Sequence, residues 1–128
     1  MDKPMRSLNV LVAEDSLLNQ KFALRILEQA GHVVALAANG REALKAIEGE
    51  DFDLVLMDIE MPEMGGIEAT QAIRSTEQHG THIPIVAVTA TGNRQDCLDA
   101  GMDDWLAKPL SVTRLNATID RVLPRTAL

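Results

Sequence analysis

A chain of 128 residues, 46% of them hydrophobic, is long enough to bury one self-sufficient core, and its single cysteine rules out an internal disulfide. The 19 acidic residues outnumber the 12 basic ones to give a net charge of −7, with no basic stripe, and Phe22, Phe52 and Trp105 are the only aromatics. This argues against direct nucleic-acid binding, by backbone tracking or by base stacking. No charged-then-apolar leader and no uninterrupted apolar span occur, so this chain is expected neither to be targeted to nor to cross a membrane by itself.

In chain order, residues 1–7 read as a polar lead-in, residues 8–123 as one domain and residues 124–128 as a tail, the two ends pointing to an excised domain. Leu8 to Ala13 is a first strand that stops at Glu14-Asp15-Ser16. Helical spacing follows from Leu17, with Leu18, Phe22, Ile26 and Ala30 on one stripe and Leu27 beside it, until Gly31 ends the helix. Val33 to Ala37 is a second strand. Asn39 then caps a helix in which Glu42 reaches back and Ala43, Leu44 and Ile47 face inward, closed by Gly49.

Asp53-Leu54-Val55-Leu56-Met57-Asp58 carries the strongest signal. Four consecutive apolar residues suit a central strand covered on both faces, and Pro62 keeps the ladder from continuing past it. Gly65-Gly66 turns into a third helix bearing Ile67, Thr70 and Ile73, which runs into a polar stretch holding His79 and His82. Neither histidine has partners at zinc-ligand spacing, so both are expected in solvent. Ile83 to Val88 is a fourth strand ending at Thr89. A helix over Arg94 to Ala100 carries Cys97, expected as a small buried or half-buried thiol, and stops at Gly101. Asp104 to Ala107 is the fifth strand, ending at Lys108-Pro109, and a last helix starts at Ser111 with Val112, Leu115, Ile119 and Val122 inward. Five alternations with short connections imply an α/β domain, a parallel sheet with helices on both faces and right-handed crossovers.

In such a sheet the working crevice lies beyond the carboxyl ends of the strands. There the chain delivers Glu14 and Asp15 from strand one, Asp58 from strand three, Thr89 from strand four and Lys108 from strand five. Singly each has an ordinary reading: helix caps for the acids, a turn former in Thr89, a solvated charge in Lys108. Together they describe a problem, because carboxylates about 4 Å apart repel by roughly 4 kcal/mol per pair at an effective dielectric near 20. Lys108 offsets part of that, and a hard divalent ion with oxygen ligands, Mg2+ where it keeps waters and awaits a phosphate, is the natural remainder. A carboxylate beside a metal, an ammonium and a hydroxyl is equipment for phosphoryl transfer to Asp58, giving an acyl phosphate.

These motifs make the chain resemble a response-regulator receiver domain, the CheY-like (βα)5 fold of flavodoxin type, over about Leu8 to Leu123. Glu14-Asp15 matches the family's acidic pair, Asp58 in Met57-Asp58-Ile59-Glu60-Met61-Pro62 its phosphoacceptor, Thr89 its switch hydroxyl and Lys108-Pro109 its lysine. The resemblance implies Mg2+ on Asp15, Asp58 and the main-chain carbonyl of Glu60, with Glu14 acting through water. It also implies Lys108 on the phosphoryl group, and a switch in which Thr89 swings towards that group while Trp105 fills the vacated space. Asn19-Gln20, Glu68-Ala69-Thr70 and the run from Gly101 to Pro109 are most similar to receivers of hybrid sensor histidine kinases. Such receivers exchange phosphate with a kinase histidine or a histidine phosphotransfer domain, which implies docking around Leu17, Leu18, Phe22 and Pro109. Helical phase leaves one of Leu17 and Leu18 to the core. A cytoplasmic location is expected, and the fourth and fifth helices with Trp105 form a candidate face for a weak homodimer.

The chain departs from the family pattern in Gly65, where many relatives carry Asp, and in Trp105, a larger ring than the common Tyr or Phe. Glu60 and Thr91 flank the site. Other classes fit less well. A receiver-like interaction module that is never phosphorylated needs acids missing, and none is; a stand-alone regulator fits the site equally but not the kinase-like segments. A haloacid-dehalogenase-type phosphatase needs a second Asp where Glu60 stands, and a flavin carrier needs a phosphate loop after strand one.

Overall fold

The computed structural model describes residues 7–78, 80–90 and 92–123; most of the expected lead-in, the whole tail, His79 and Thr91 lie outside the described residues. The elements run β1 (Asn9–Ala13), α1 (Leu17–Gln29), β2 (Val33–Ala37), α2 (Gly40–Gly49), β3 (Leu54–Met57), α3 (Gly66–Thr76), β4 (Ile85–Thr89), α4 (Arg94–Ala100), β5 (Asp104–Ala107) and α5 (Val112–Val122). All strands are parallel in the order β2-β1-β3-β4-β5. The all-apolar β3 is buried along its whole length between β1 and β4, as a run with no polar face demands.

Strand pleating splits the core in two. Val10, Val12, Leu54, Leu56 and Leu106 join Ala23, Leu27 and Leu115 on the face under α1 and α5. On the other face Leu11, Val55, Met57 and Ala87 meet Ala43, Ala69, Ile73 and Cys97 from α2, α3 and α4. Ser16, Asn39, Asn93 and Ser111 cap α1, α2, α4 and α5 through their side chains. Gly31 at φ 94° and Gly101 at φ 109° supply the left-handed residue that ends α1 and α4. No helix among the described residues is long and apolar enough to cross a membrane.

Three local expectations need correction. The inward stripe of α1 is Ala23 and Leu27, while Leu17, Leu18 and Phe22 are 70%, 77% and 45% exposed, so neither leucine is core. The small Ala23 seats this helix, and the larger side chains one position away are rotated outward. On α5, Val112 is exposed and Thr118 is buried in its stead, its hydroxyl accepting from Arg121 Nη2 at 3.1 Å. Glu42 does reach back, but its Oε1 accepts from the amide of Ala38 at 2.7 Å, one residue before the cap.

Candidate functional site

Register brings the acids together. Ala13 pairs with both Ala37 and Met57, so β1, β2 and β3 end level and the next residues lie side by side. The ladder then extends one bond on each side, with the Glu14 amide on Ala37 O at 2.9 Å and the Asp58 amide on Ala13 O at 3.0 Å. Both side chains are held beneath the surface at 5% and 6% exposure, and Asp15 is exposed above them. Oxygens from Glu14, Asp15 and Asp58 lie within 4.8 Å of one another. The ordinary reading of the acid pair as helix caps fails here, because Ser16 caps α1 and leaves both carboxylates to the crevice.

Lys108 arrives from β5, its amide bonded to Thr89 O at 3.0 Å, and its Nζ sits 2.5 Å from Glu14 Oε1 and 3.0 Å from Asp58 Oδ2. Burial opposes the ammonium charge, yet the hydrogen bonds and charges of Glu14 and Asp58 outweigh it, raising the lysine pKa above its ordinary value. The cation is therefore permanent at neutral pH. One ammonium against three carboxylates leaves excess negative charge in a cluster of hard oxygen donors, which fits a divalent cation such as Mg2+.

Thr89 is almost wholly buried at the end of β4, in register with Ala107, the residue before Lys108. Trp105 is half-buried on β5, packed against the α2–α4 side of the core, with its indole Nε1 buried and without a hydrogen-bond partner. Glu60 is exposed, its amide 3.4 Å from Asp58 Oδ1. Leu17, Leu18, Phe22 and Pro109 all lie at the surface; Phe22 and Pro109 line, with Asn19, Leu56, Val88 and Leu110, a crevice that opens onto Glu14, Asp58 and Lys108.

Two further contacts hold Glu14: Gln20, which the sequence marks only by its likeness to kinase receivers, donates through Nε2 to Glu14 O at 2.6 Å, and the Ser16 amide donates to Glu14 Oε2 at 3.0 Å. These bonds aim Glu14 into the crevice. Gly66 does more than turn the chain into α3, since a Cβ there would meet Asp58 O at 2.1 Å. The Gly-Gly pair ahead of a helix was the available signal, pointing to close backbone approach as much as to flexibility.

A level row of strand ends holding two buried acids, an exposed third and a bridging lysine is the arrangement of receiver domains. Residues 10–120 match the response regulator receiver domain, and the chain belongs to that family. It is 40% identical over 122 residues, 94% of its length, to the aerobic respiration control sensor protein ArcB of Escherichia coli (strain K12), and spans 16% of that curated relative. It is 36% identical, with a TM-score of 0.82 and coverage of 91% and 98%, to the receiver domain of sensor histidine kinase PA1611 from Pseudomonas aeruginosa, a structure with a magnesium ion coordinated in the active-site cleft. A third likeness, at 30% identity and TM-score 0.83 over 94% and 91% of the chains, is the receiver domain of Saccharomyces cerevisiae Ssk1 in complex with the histidine phosphotransfer protein Ypd1. The chain is thus a receiver domain of the phosphorelay kind, similar to receivers found in sensor kinases.

Proposed function

We propose that Asp58 accepts a phosphoryl group from a phosphohistidine and that the chain is the receiver of a hybrid sensor histidine kinase acting in the cytoplasm. The observation that carries the reading is Lys108 Nζ spanning Glu14 and Asp58 while Asp15 lies within 4.8 Å. In the transfer an Asp58 oxygen attacks phosphorus in line as the phosphorus–nitrogen bond breaks, and the imidazole, protonated on its other nitrogen, departs as a neutral ring. Lys108 exchanges part of its carboxylate contact for the phosphoryl oxygens. Asp15, Asp58 and the main-chain carbonyl of Glu60 would hold Mg2+, with Glu14 acting through water, and the bound ion would neutralise charge on those oxygens. Thr89 at the end of β4 and Trp105 on β5, whose register partner Ala87 lies two residues before Thr89, carry the change outward by the hydroxyl turning to the phosphoryl group and the ring moving in.

The donor or acceptor histidine belongs to a kinase domain or a histidine phosphotransfer domain. It docks over the exposed apolar Leu17, Leu18 and Phe22 and over Pro109, of which Phe22 and Pro109 line the crevice that opens onto Asp58. Likeness to a receiver crystallised with a phosphotransfer protein supports this choice of partner.

Intact mass after incubation with Mg2+ and a small acyl-phosphate donor tests the reading. Wild type should gain one base-labile phosphoryl group and Asp58→Asn none. An unmodified, folded wild type, with this donor and with a phosphorylated histidine kinase, would point instead to a constitutive interaction module.

A further inference from the structure

The loop from Asp58 to Gly66 carries the acceptor at its start and is closed on itself. Gly66 N donates to Ile59 O at 2.8 Å, Met64 N donates to Pro62 O at 2.7 Å, and Glu63 takes a left-handed φ of 66°. Beyond Asp58 itself, which is tied to β1 and Lys108, the loop meets the start of α2, where the amide of Gly40 donates to Met64 O at 2.8 Å and Arg41 Nε lies 3.8 Å from Glu63 Oε1. Gly40 is buried, and an ideal Cβ built on it would lie 2.7 Å from that same carbonyl oxygen and 2.9 Å from both Ala69 Cβ and Met64 Cγ. Contacts under 3.0 Å cannot stand, so any side chain there must move something.

Which partner yields is decided by the packing. The first turn of α2 is fixed by the Asn39 cap, whose Oδ1 accepts from Glu42 N at 2.9 Å, and by Ala43, which is wholly buried against the sheet. The loop is the softer side, with Pro62 and Glu63 exposed. Its displacement runs back along a short closed ring to Glu60 and Asp58, because Gly66 lies against the Asp58 carbonyl and Ile59 O is held by the Gly66 amide. We infer that Gly40, at the start of α2 and touching none of the acids, is a positioning residue for the acceptor loop, the absence of its side chain setting where the loop holds Asp58 and the Glu60 carbonyl for the cation. The inference rests on the proposed function.

Calorimetric titration with Mg2+ of wild type, Gly40→Ala and Gly31→Ala tests it, with circular dichroism showing each protein folded. Gly31 is the control: its φ of 94° strains any side chain, but nothing lies within 4 Å of its Cβ position. Gly40→Ala should bind Mg2+ on the order of tenfold more weakly, the size of effect seen when a ligand's support is removed, while Gly31→Ala binds as wild type does. A melting temperature lowered in both variants with affinity lost only at Gly40 separates positioning from general destabilisation. Affinity within twofold of wild type in folded Gly40→Ala overturns the inference. Should that variant fail to fold, hydrogen exchange in wild type decides: Mg2+ should slow the Gly40 amide more than the amide of Leu27, buried in α1 away from the loop, and equal slowing of the two, or none at Gly40, overturns the inference. A wild type that binds no Mg2+ overturns the proposed function and this inference together.

Discussion

Lys108 and His32 show opposite ways of keeping a titratable side chain under the surface. The ammonium of Lys108 is stabilised by Glu14 and Asp58, and its raised pKa means that its contribution is whole below the ordinary lysine value of 10.5 and is lost only as pH rises beyond it. Lys108→Met leaves two buried carboxylates facing each other and is expected to cost about 3 kcal/mol in metal-free buffer. Urea unfolding should show the deficit shrinking when Mg2+ is added; equal midpoints for the two proteins without metal would contradict the account. His32 is 7% exposed and its Nδ1 accepts the Leu8 amide at 3.1 Å, so the ring must be neutral with its proton on Nε2. Burial lowers its pKa below 6.5, hence the unfolded chain takes up a proton first and stability falls as pH drops below that value. His32→Asn, which keeps an acceptor near Nδ1, should lose less stability between about pH 7 and pH 5 than wild type does. Parallel losses would show that His32 contributes nothing to the acid side.

At the level of elements, the end of the sheet opposite the crevice is tied by one guanidinium. Arg74 on α3 is 17% exposed and donates to Gly101 O at 2.8 Å, Glu77 Oε2 at 2.7 Å, Ile83 O at 2.9 Å and Asp103 Oδ2 at 2.9 Å, joining the end of α4 to the approaches to β4 and β5. Glu77 and Asp103 in turn accept the amides of Ile83 and Ile85, at 2.7 and 2.8 Å. Arg74→Ala should therefore destabilise by about 3 kcal/mol, since it strands two carboxylates and two carbonyls at once. Arg74→Lys should recover only part, because an ammonium cannot span acceptors placed for a planar fork; full recovery in urea unfolding would sink that argument. This hub was not legible in the sequence. Its partners lie 3 to 29 residues away with no periodicity to link them. The elements themselves were legible, because apolar runs, capping residues and glycines mark both their type and their ends. The phase of α1 was not, since Ala23 looks neutral beside Leu18 and Phe22 until the sheet it packs against is known.

For the whole molecule, the site was readable because topology does the assembling: once five parallel strands are granted, whatever follows each strand must meet the others. What the strand ends could not reveal is how level they lie, which the shared register of Ala13 with Ala37 and Met57 decides. Excess negative charge there, on a chain already at −7, makes cation binding a stabilising force on the entire fold. Free Mg2+ at a hundred times its dissociation constant should add about 2.7 kcal/mol to the unfolding free energy, read as a raised melting midpoint at constant ionic strength. Asp15→Asn should abolish most of that rise, and an equal rise in both proteins would show the ion acting elsewhere.

The acids come from residues 14, 15 and 58, whereas their counter-ion comes from residue 108, directly after the edge strand β5, which pairs with β4. Without β5 in place, the carboxylates gathered by β1 and β3 would face one another with no lysine to offset them. The charge cluster is closed only where β5 is paired to β4, so an opening of that edge of the sheet would carry the site's one bridging cation away with it.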